Sequence, residues 1–251
     1  MKVGLVLSGG GARGIAHLGI LKALKELGVP VHCISGTSVG AILGALYANG
    51  LAPDDILESI VKTSFLKTIR PAWTIKGLLS TDSLHTLLLK YLPHNRFESL
   101  SIPLTVAATD ISKGKSIYFS TGDLIPALVA SSCVPGVFNP YKLNGNVYID
   151  GGILDNLPAR IIRADCDLLI GSNCNHVSDN FDGKNFKSVV ERSLLMAING
   201  NTTINQGLCD LIIEPTEAGK LSTFEFGRAR ELFDIGYRFT ITHFKKEDFR
   251  R

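Results

Sequence analysis

Ser38 stands in Gly36-Thr37-Ser38-Val39-Gly40, a GxSxG pattern between an apolar run and a second run that is apolar on every face. That context suits a nucleophile elbow, in which a serine sits on a sharp strand-to-helix turn and its neighbours must be tiny. The chemistry such a serine performs is attack on an acyl carbonyl. A second glycine cluster, Gly9-Gly10-Gly11-Ala12-Arg13-Gly14, follows the first apolar run. Read as GxGxxG it matches the dinucleotide fingerprint, but that use requires an acidic residue about 20 positions further on. No carboxylate occurs between Leu27 and Pro53, and at the end of the second run the GxSxG stands instead. A phosphate-binding P-loop also fails, for lack of a following Gly-Lys-Ser/Thr. The remaining use of the loop is to stabilise the oxyanion of acyl transfer. Gly9, Gly10, Gly11 and Gly14 supply its exposed N–H groups, with Gly10 and Gly11 the main donor candidates. Arg13 either adds a positive charge there or pins the loop through its guanidinium, and pinning is the favoured role.

A serine hydroxyl at its ordinary pKa needs a base. Six histidines are present, and the order Ser, acid, His would assign His176 or His243. His176 follows a strand in a polar stretch and His243 lies near a charged tail, so packing or surface roles suit both better. Asp150 ends the apolar run Val147-Tyr148-Ile149 and precedes Gly151 and Gly152. It is placed either as an active-site acid or as an aspartate that stabilises a turn.

The elements that must position these groups follow from hydrophobic period and breakers. Strands are predicted at 2–8, 31–35, 104–109, 116–120, 141–143, 147–150, 168–172 and 211–214. Helices are predicted at 15–27, 39–48, 53–62, 82–91, 123–131, 186–198 and about 226–243, the fourth capped by Ser80 or Thr81. Their alternation implies an α/β fold, a three-layer α/β/α sandwich around a mainly parallel sheet, in one domain over residues 1–251.

Composition narrows the function classes. The 251 residues carry 26 Lys and Arg against 23 Asp and Glu, a net charge of +3 without a basic run. That balance is too mild to suggest a nucleic-acid partner, and none is expected, but it does not repel an anionic membrane. Five scattered cysteines form no CxxC, so they read as reduced thiols and no metal site is expected, Cys174 and His176 notwithstanding. No apolar segment approaches the roughly 18 residues of a membrane span, and a cytoplasmic protein, at most peripheral, is expected. Residues 65–79 mix large apolar side chains with Lys67, Arg70 and Lys76 and read as a cap over the core or as a flap entering a bilayer interface. Cys133 and Phe138 read as acyl-pocket or core residues.

Taken together, the glycine loop, the GxSxG and Asp150-Gly151-Gly152, in that order, resemble the patatin-like phospholipase family, in particular its small bacterial members. Residues 130–138 and the closing Gly236-Tyr237 helix extend the likeness over nearly the whole chain. The resemblance implies a Ser38/Asp150 dyad without a catalytic histidine, an oxyanion hole in the glycine loop, no cofactor, and a lipid ester as substrate. His17 is then structural. Two alternatives stay open: transfer of the acyl group to an acceptor other than water, and an idle lipid-binding regulator. Carrier-protein acyltransferases usually place His before the serine, where Thr37 stands.

Overall fold

The computed structural model describes residues 1–62, 81–177, 181, 183 and 186–250; the stretch 65–79 and the cap candidate Ser80 lie outside them. The apolar runs become β1 (Val3–Leu7), β2 (Cys33–Thr37), β3 (Leu104–Asp110), β4 (Lys115–Phe119), β5 (Tyr141–Leu143), β6 (Asn146–Asp150), β7 (Leu168–Ser172) and β8 (Leu211–Ile213). The sheet order is β5-β6-β3-β2-β1-β7-β8, with β4 on β3. From β3 through β2, β1 and β7 to β8 the pairing is parallel. Pairing around β4, β5 and β6 is antiparallel. The helices are α1 (Ala16–Glu26), α2 (Val39–Ala48), α3 (Pro53–Lys62), α4 (Thr81–Tyr91), α5 (Leu124–Ser131), α6 (Phe186–Gln206) and α7 (Ala229–His243).

The period of two along a strand divides the interior. Val3, Leu5 and Leu7 of β1 enter the main core with apolar side chains of α1, α2, α3 and α7. Val6 and Leu169 face the other way, onto Leu157, Ala159 and Ile162. This second cluster is the smaller one, and the chain reaches it at 157–166 through turns and one short 3-10 turn. On the main side α1 and α7 touch backbone to backbone: a Cβ on Gly19 would lie 2.0 Å from Phe233 O, and one on Gly236 2.1 Å from Ala16 O. That contact fixes the helix whose N-terminus carries the glycine loop. Among the described residues no helix is long and apolar enough to cross a membrane.

Two boundaries differ from expectation with consequences for the site. β2 starts and ends two residues later than predicted, so it runs straight into Ser38. α6 continues past Ile198 to Gln206. Asn199-Gly200-Asn201 looks like a stop in isolation, but Asn201, Thr202 and Asn205 form hydrogen bonds to the chain at 152–156 that hold the extra turns.

Candidate active site

Ser38 is the hinge between β2 and α2, with φ 54° and ψ −127°. A non-glycine residue at positive φ is strained by about 1–3 kcal/mol and persists only where its surroundings impose it. Here they do so by lack of room and by hydrogen bonds. A Cβ on Gly36 would lie 2.8 Å from Ala41 N, and one on Gly40 2.4 Å from Leu7 O. The Ser38 N–H donates to Ser131 Oγ at 2.7 Å, and that hydroxyl donates to Ala107 O at 2.6 Å. Thr37 Oγ1 donates to Asp155 O at 2.8 Å, tying the elbow to the loop after β6.

Sheet register brings Asp150 to this serine. β4 occupies one edge of β3 from Val106 to Asp110, so β2 and β6 must share the other edge. On it β2 ends with Thr37 opposite Ala107, and β6, running the opposite way, ends with Asp150 opposite Ala108. Two strands thus meet carboxyl end to carboxyl end against consecutive residues of β3. Gly151 allows the approach, since a Cβ there would lie 2.3 Å from Ala107 O. Asp150 is 6% exposed. Its Oδ1 accepts the Gly152 N–H at 2.8 Å. Burial raises its pKa to about 6, against the opposing influence of the Ser38 hydroxyl and the Gly152 N–H. Oδ2 has no hydrogen-bond partner among the described residues. Oδ2 therefore keeps its acceptor capacity.

The glycine loop closes the other side. A Cβ on Gly9 would lie 3.3 Å from Ser38 Cβ, which places the loop beside the nucleophile. Its N–H groups are not equivalent. Gly9 N–H donates to Asn156 O, Ala12 N–H to Thr223 O, and Arg13 N–H to Gly10 O. Among the described residues the N–H groups of Gly10 and Gly11 have no acceptor, nor does that of Val39 at the start of α2. Gly10 and Gly11 have φ 158° and 56°, and a Cβ on Gly11 would lie 2.3 Å from Thr223 O. Gly14 packs its Cα against Val39, where a Cβ would lie 2.3 Å from Cγ1. Arg13 is buried, and its Nε donates to Leu221 O at 2.6 Å, the pinning arrangement. Of the predicted oxyanion set, then, Gly9 and Arg13 hold the loop, Gly14 seats it beside α2, and Gly10 and Gly11 keep free donors.

Ser38, Asp150, Gly10 and Gly11 line one cleft of about 590 Å³, its open mouth included. Val134, Pro135, Ile153, Leu194, Leu195 and Ile198 line the same cleft and make much of its wall apolar. Cys133 and Phe138 do not line it and sit in the main core; their neighbours Val134 and Pro135 do. None of the six histidines lines it either. His17 is fully buried, donates from Nε2 to Ser8 O at 2.9 Å and accepts at Nδ1 from Ser172 Oγ at 2.7 Å. Desolvation lowers its pKa to about 4, so it stays neutral and ties the loop's entry to β7. His176 faces Glu214, and His243 stacks on Phe239. Cys174 Sγ lies 3.4 Å from His17 Nδ1. Ser131, Asn156 and Asn175 hold the site without having been singled out, because isolated Ser and Asn residues carry no pattern.

Sheet order, elbow and glycine loop define an α/β protein with a serine-bearing turn at the carboxyl edge of its parallel strands. A model of the patatin-like phospholipase family matches residues 5–163, and the chain belongs to that family. An uncharacterized NTE family protein of Mycobacterium bovis is 36% identical over 177 residues, which cover 69% of this chain and 49% of that protein. Lysophospholipase NTE1 of Cryptococcus neoformans is 34% identical over 171 residues, 64% of this chain and 10% of that one. The chain thus spans about half the length of its mycobacterial relative. Among solved structures, VipD from Legionella pneumophila superposes with a TM-score of 0.58 at 16% identity, over 93% of this chain and 67% of that chain, which establishes a shared fold.

Proposed function

We propose that this chain is a serine acyl hydrolase of lipid carboxylic esters, of the phospholipase A or lysophospholipase type, with Ser38 as nucleophile and Asp150 as its base. The observation that carries the reading is the convergence of a strained serine, a buried carboxylate with a free oxygen, and unpaired amide protons at one apolar cleft. Asp150 takes the Ser38 proton as Oγ attacks the ester carbonyl. The N–H groups of Gly10 and Gly11, with that of Val39, receive the resulting oxyanion. Collapse expels the alcohol, which recovers the proton from Asp150 and leaves an acyl-serine. Water attacks that ester with Asp150 again as base, the fatty acid departs, and Ser38 regains its proton. The apolar wall accommodates the acyl chain. These steps call on no metal or organic cofactor. Family membership and a relative named lysophospholipase support lipid as the substrate class, and a peripheral encounter with the membrane that holds such lipids follows from it.

A fluorophosphonate probe tests the proposal, since it reacts covalently only with an activated serine. Peptide mapping is expected to find the adduct on Ser38 alone, and each of the six His→Ala variants that folds is expected to keep hydrolysing a lysophospholipid. A histidine variant that folds but loses labelling and turnover together points to a triad and sinks the dyad.

The pH profile offers a second check. The base must be ionised, so kcat/KM is expected to be flat above neutrality and to fall about tenfold per pH unit below an apparent pKa near 6, Asp150's value in this burial. A midpoint near 4, the ordinary carboxylate position, means a solvated base and a different residue.

A further inference from the structure

We infer that Asn175 is a positioning residue for the oxyanion hole, orienting the Gly10 N–H by holding the carbonyl on the other side of the same peptide. The inference rests on the acyl-hydrolase reading above and assigns a part in it to a residue outside the three glycine-containing motifs.

Gly9 O accepts a hydrogen bond from Asn175 Nδ2 at 2.6 Å. In a trans peptide the C=O and N–H point to opposite sides of the chain, and the Gly9–Gly10 bond is trans. With its oxygen drawn to Asn175, this peptide must present the Gly10 N–H away from Asn175. That N–H has no acceptor among the described residues, and Gly10 lines the cleft with Ser38. Without a partner for Gly9 O, the peptide is free to rotate about the flanking bonds, because glycine on both sides offers little steric resistance. The oxyanion donor is therefore preorganised only while the Asn175 bond lasts.

Asn175 is itself fixed. It is 2% exposed. Its own N–H donates to Asn173 Oδ1 at 3.1 Å, and Asn173 Nδ2 donates to Glu214 Oε1 at 2.9 Å. Because a carbonyl only accepts, the bond to Gly9 O identifies the amide nitrogen, and Oδ1, which a Cβ on Gly10 would meet at 2.8 Å, has no hydrogen-bond partner among the described residues. An unpaired buried acceptor is unfavourable by about 1–3 kcal/mol, and a hydrophobic residue of similar size would avoid it. The asparagine is thus explained by its donor, not by packing. Gly9 N–H is held at the same time by Asn156 O, six residues past Asp150, so the loop is tied on its two sides to the chains that follow β6 and β7.

The test compares wild type with Asn175→Leu, which removes the donor at similar volume, and Asn175→Asp, which keeps the shape but sets a carboxylate against Gly9 O. Rates are expressed per site titrated with fluorophosphonate, so partial misfolding of either variant does not enter. The expected result is kcat on a lysophospholipid lowered about 10²-fold, the scale of losing one oxyanion donor, with KM changed less than threefold. Affinity for a trifluoromethyl ketone of the same chain length, which binds as a tetrahedral oxyanion, should weaken by the factor seen in kcat/KM, while inhibition by the product fatty acid stays put. Equal loss of ketone and fatty-acid affinity, or a kcat per titrated site within threefold of wild type in both variants, overturns the inference and leaves the hydrolase reading standing. A wild type that neither labels at Ser38 nor hydrolyses the lipid overturns both.

Discussion

Ser38→Ala and Asp150→Asn are each expected to lower kcat for ester hydrolysis by about 10⁴-fold or more, and the double variant to lose no more than the worse of the two. Two residues that act only as a pair lose their common contribution when either is removed. Independent contributions would multiply instead, and a double variant poorer by the product of the single effects would mean that Asp150 serves Ser38 only indirectly. Asparagine is the informative replacement at 150, because it can still accept the Gly152 N–H and so keeps the chain after β6 in place. The same variant carries a stability signature of fixed sign. Burial raises the folded-state pKa of Asp150 to about 6, above the roughly 3.9 of an unfolded aspartate. Between those values the folded state binds more protons than the unfolded state, so stability falls as pH rises through the window and stays lower above it. A shift of about two units corresponds to roughly 3 kcal/mol. Asp150→Asn should therefore match wild type in chemical denaturation near pH 4 and exceed it at pH 7.5. A variant inactive yet more stable only at the higher pH is the mark of a carboxylate kept ionised for catalysis; equal gains at both pH values would remove the electrostatic account.

Much of this site was legible because its motifs are local. The GxSxG needs room within a few residues of itself, and Gly36 and Gly40 show in sequence what the close passes of Ala41 and Leu7 show in space. Asp150 was legible as the acid ending an apolar strand. What joins the two was not: the register that sets Thr37 and Asp150 on neighbouring residues of β3 depends on pairing across more than forty residues, which no local pattern encodes. Gly10 and Gly11 could be named as the main donor candidates, but what spends the Gly9 N–H could not be read, for a related reason. Gly9 and Gly10 look alike in sequence, and only Asn156 O, from a distant turn, decides which N–H is spent. Helix α6 was cut short because glycine and asparagine argue for a stop, whereas Asn201 and Asn205 are bonded outward to the chain at 152–155. Cys133 and Phe138 belong to a stretch that does reach the cleft, but their own side chains turn into the core.

Gly40→Ala is expected to damage stability and turnover together. An added Cβ would meet Leu7 O at 2.4 Å and Ser8 O at 2.5 Å, both backbone atoms at the end of the central strand β1. Flexible side-chain ends can give way to such a clash, but these carbonyls cannot. Ser8 O is held by His17 Nε2, and Leu7 lies between two parallel neighbours in the sheet. Relief must come from α2 moving away from β1, which carries Ser38 out of the cleft. Destabilisation of about 3 kcal/mol or more follows, at the upper end for overpacking. In the population that remains folded, kcat should fall by about 10²-fold, because a displacement near 1 Å is enough to lose attack geometry. Alanine at Gly50 is the matched comparison: a Cβ there meets nothing within 4 Å, though φ is +95°. It should lower stability through backbone strain by only about 1–3 kcal/mol and leave kcat unchanged. Denaturation midpoints together with turnover per titrated serine separate the two. Gly40→Ala with wild-type turnover per site would show that the elbow tolerates a shift of its helix, and that the tight passage beside β1 serves packing alone.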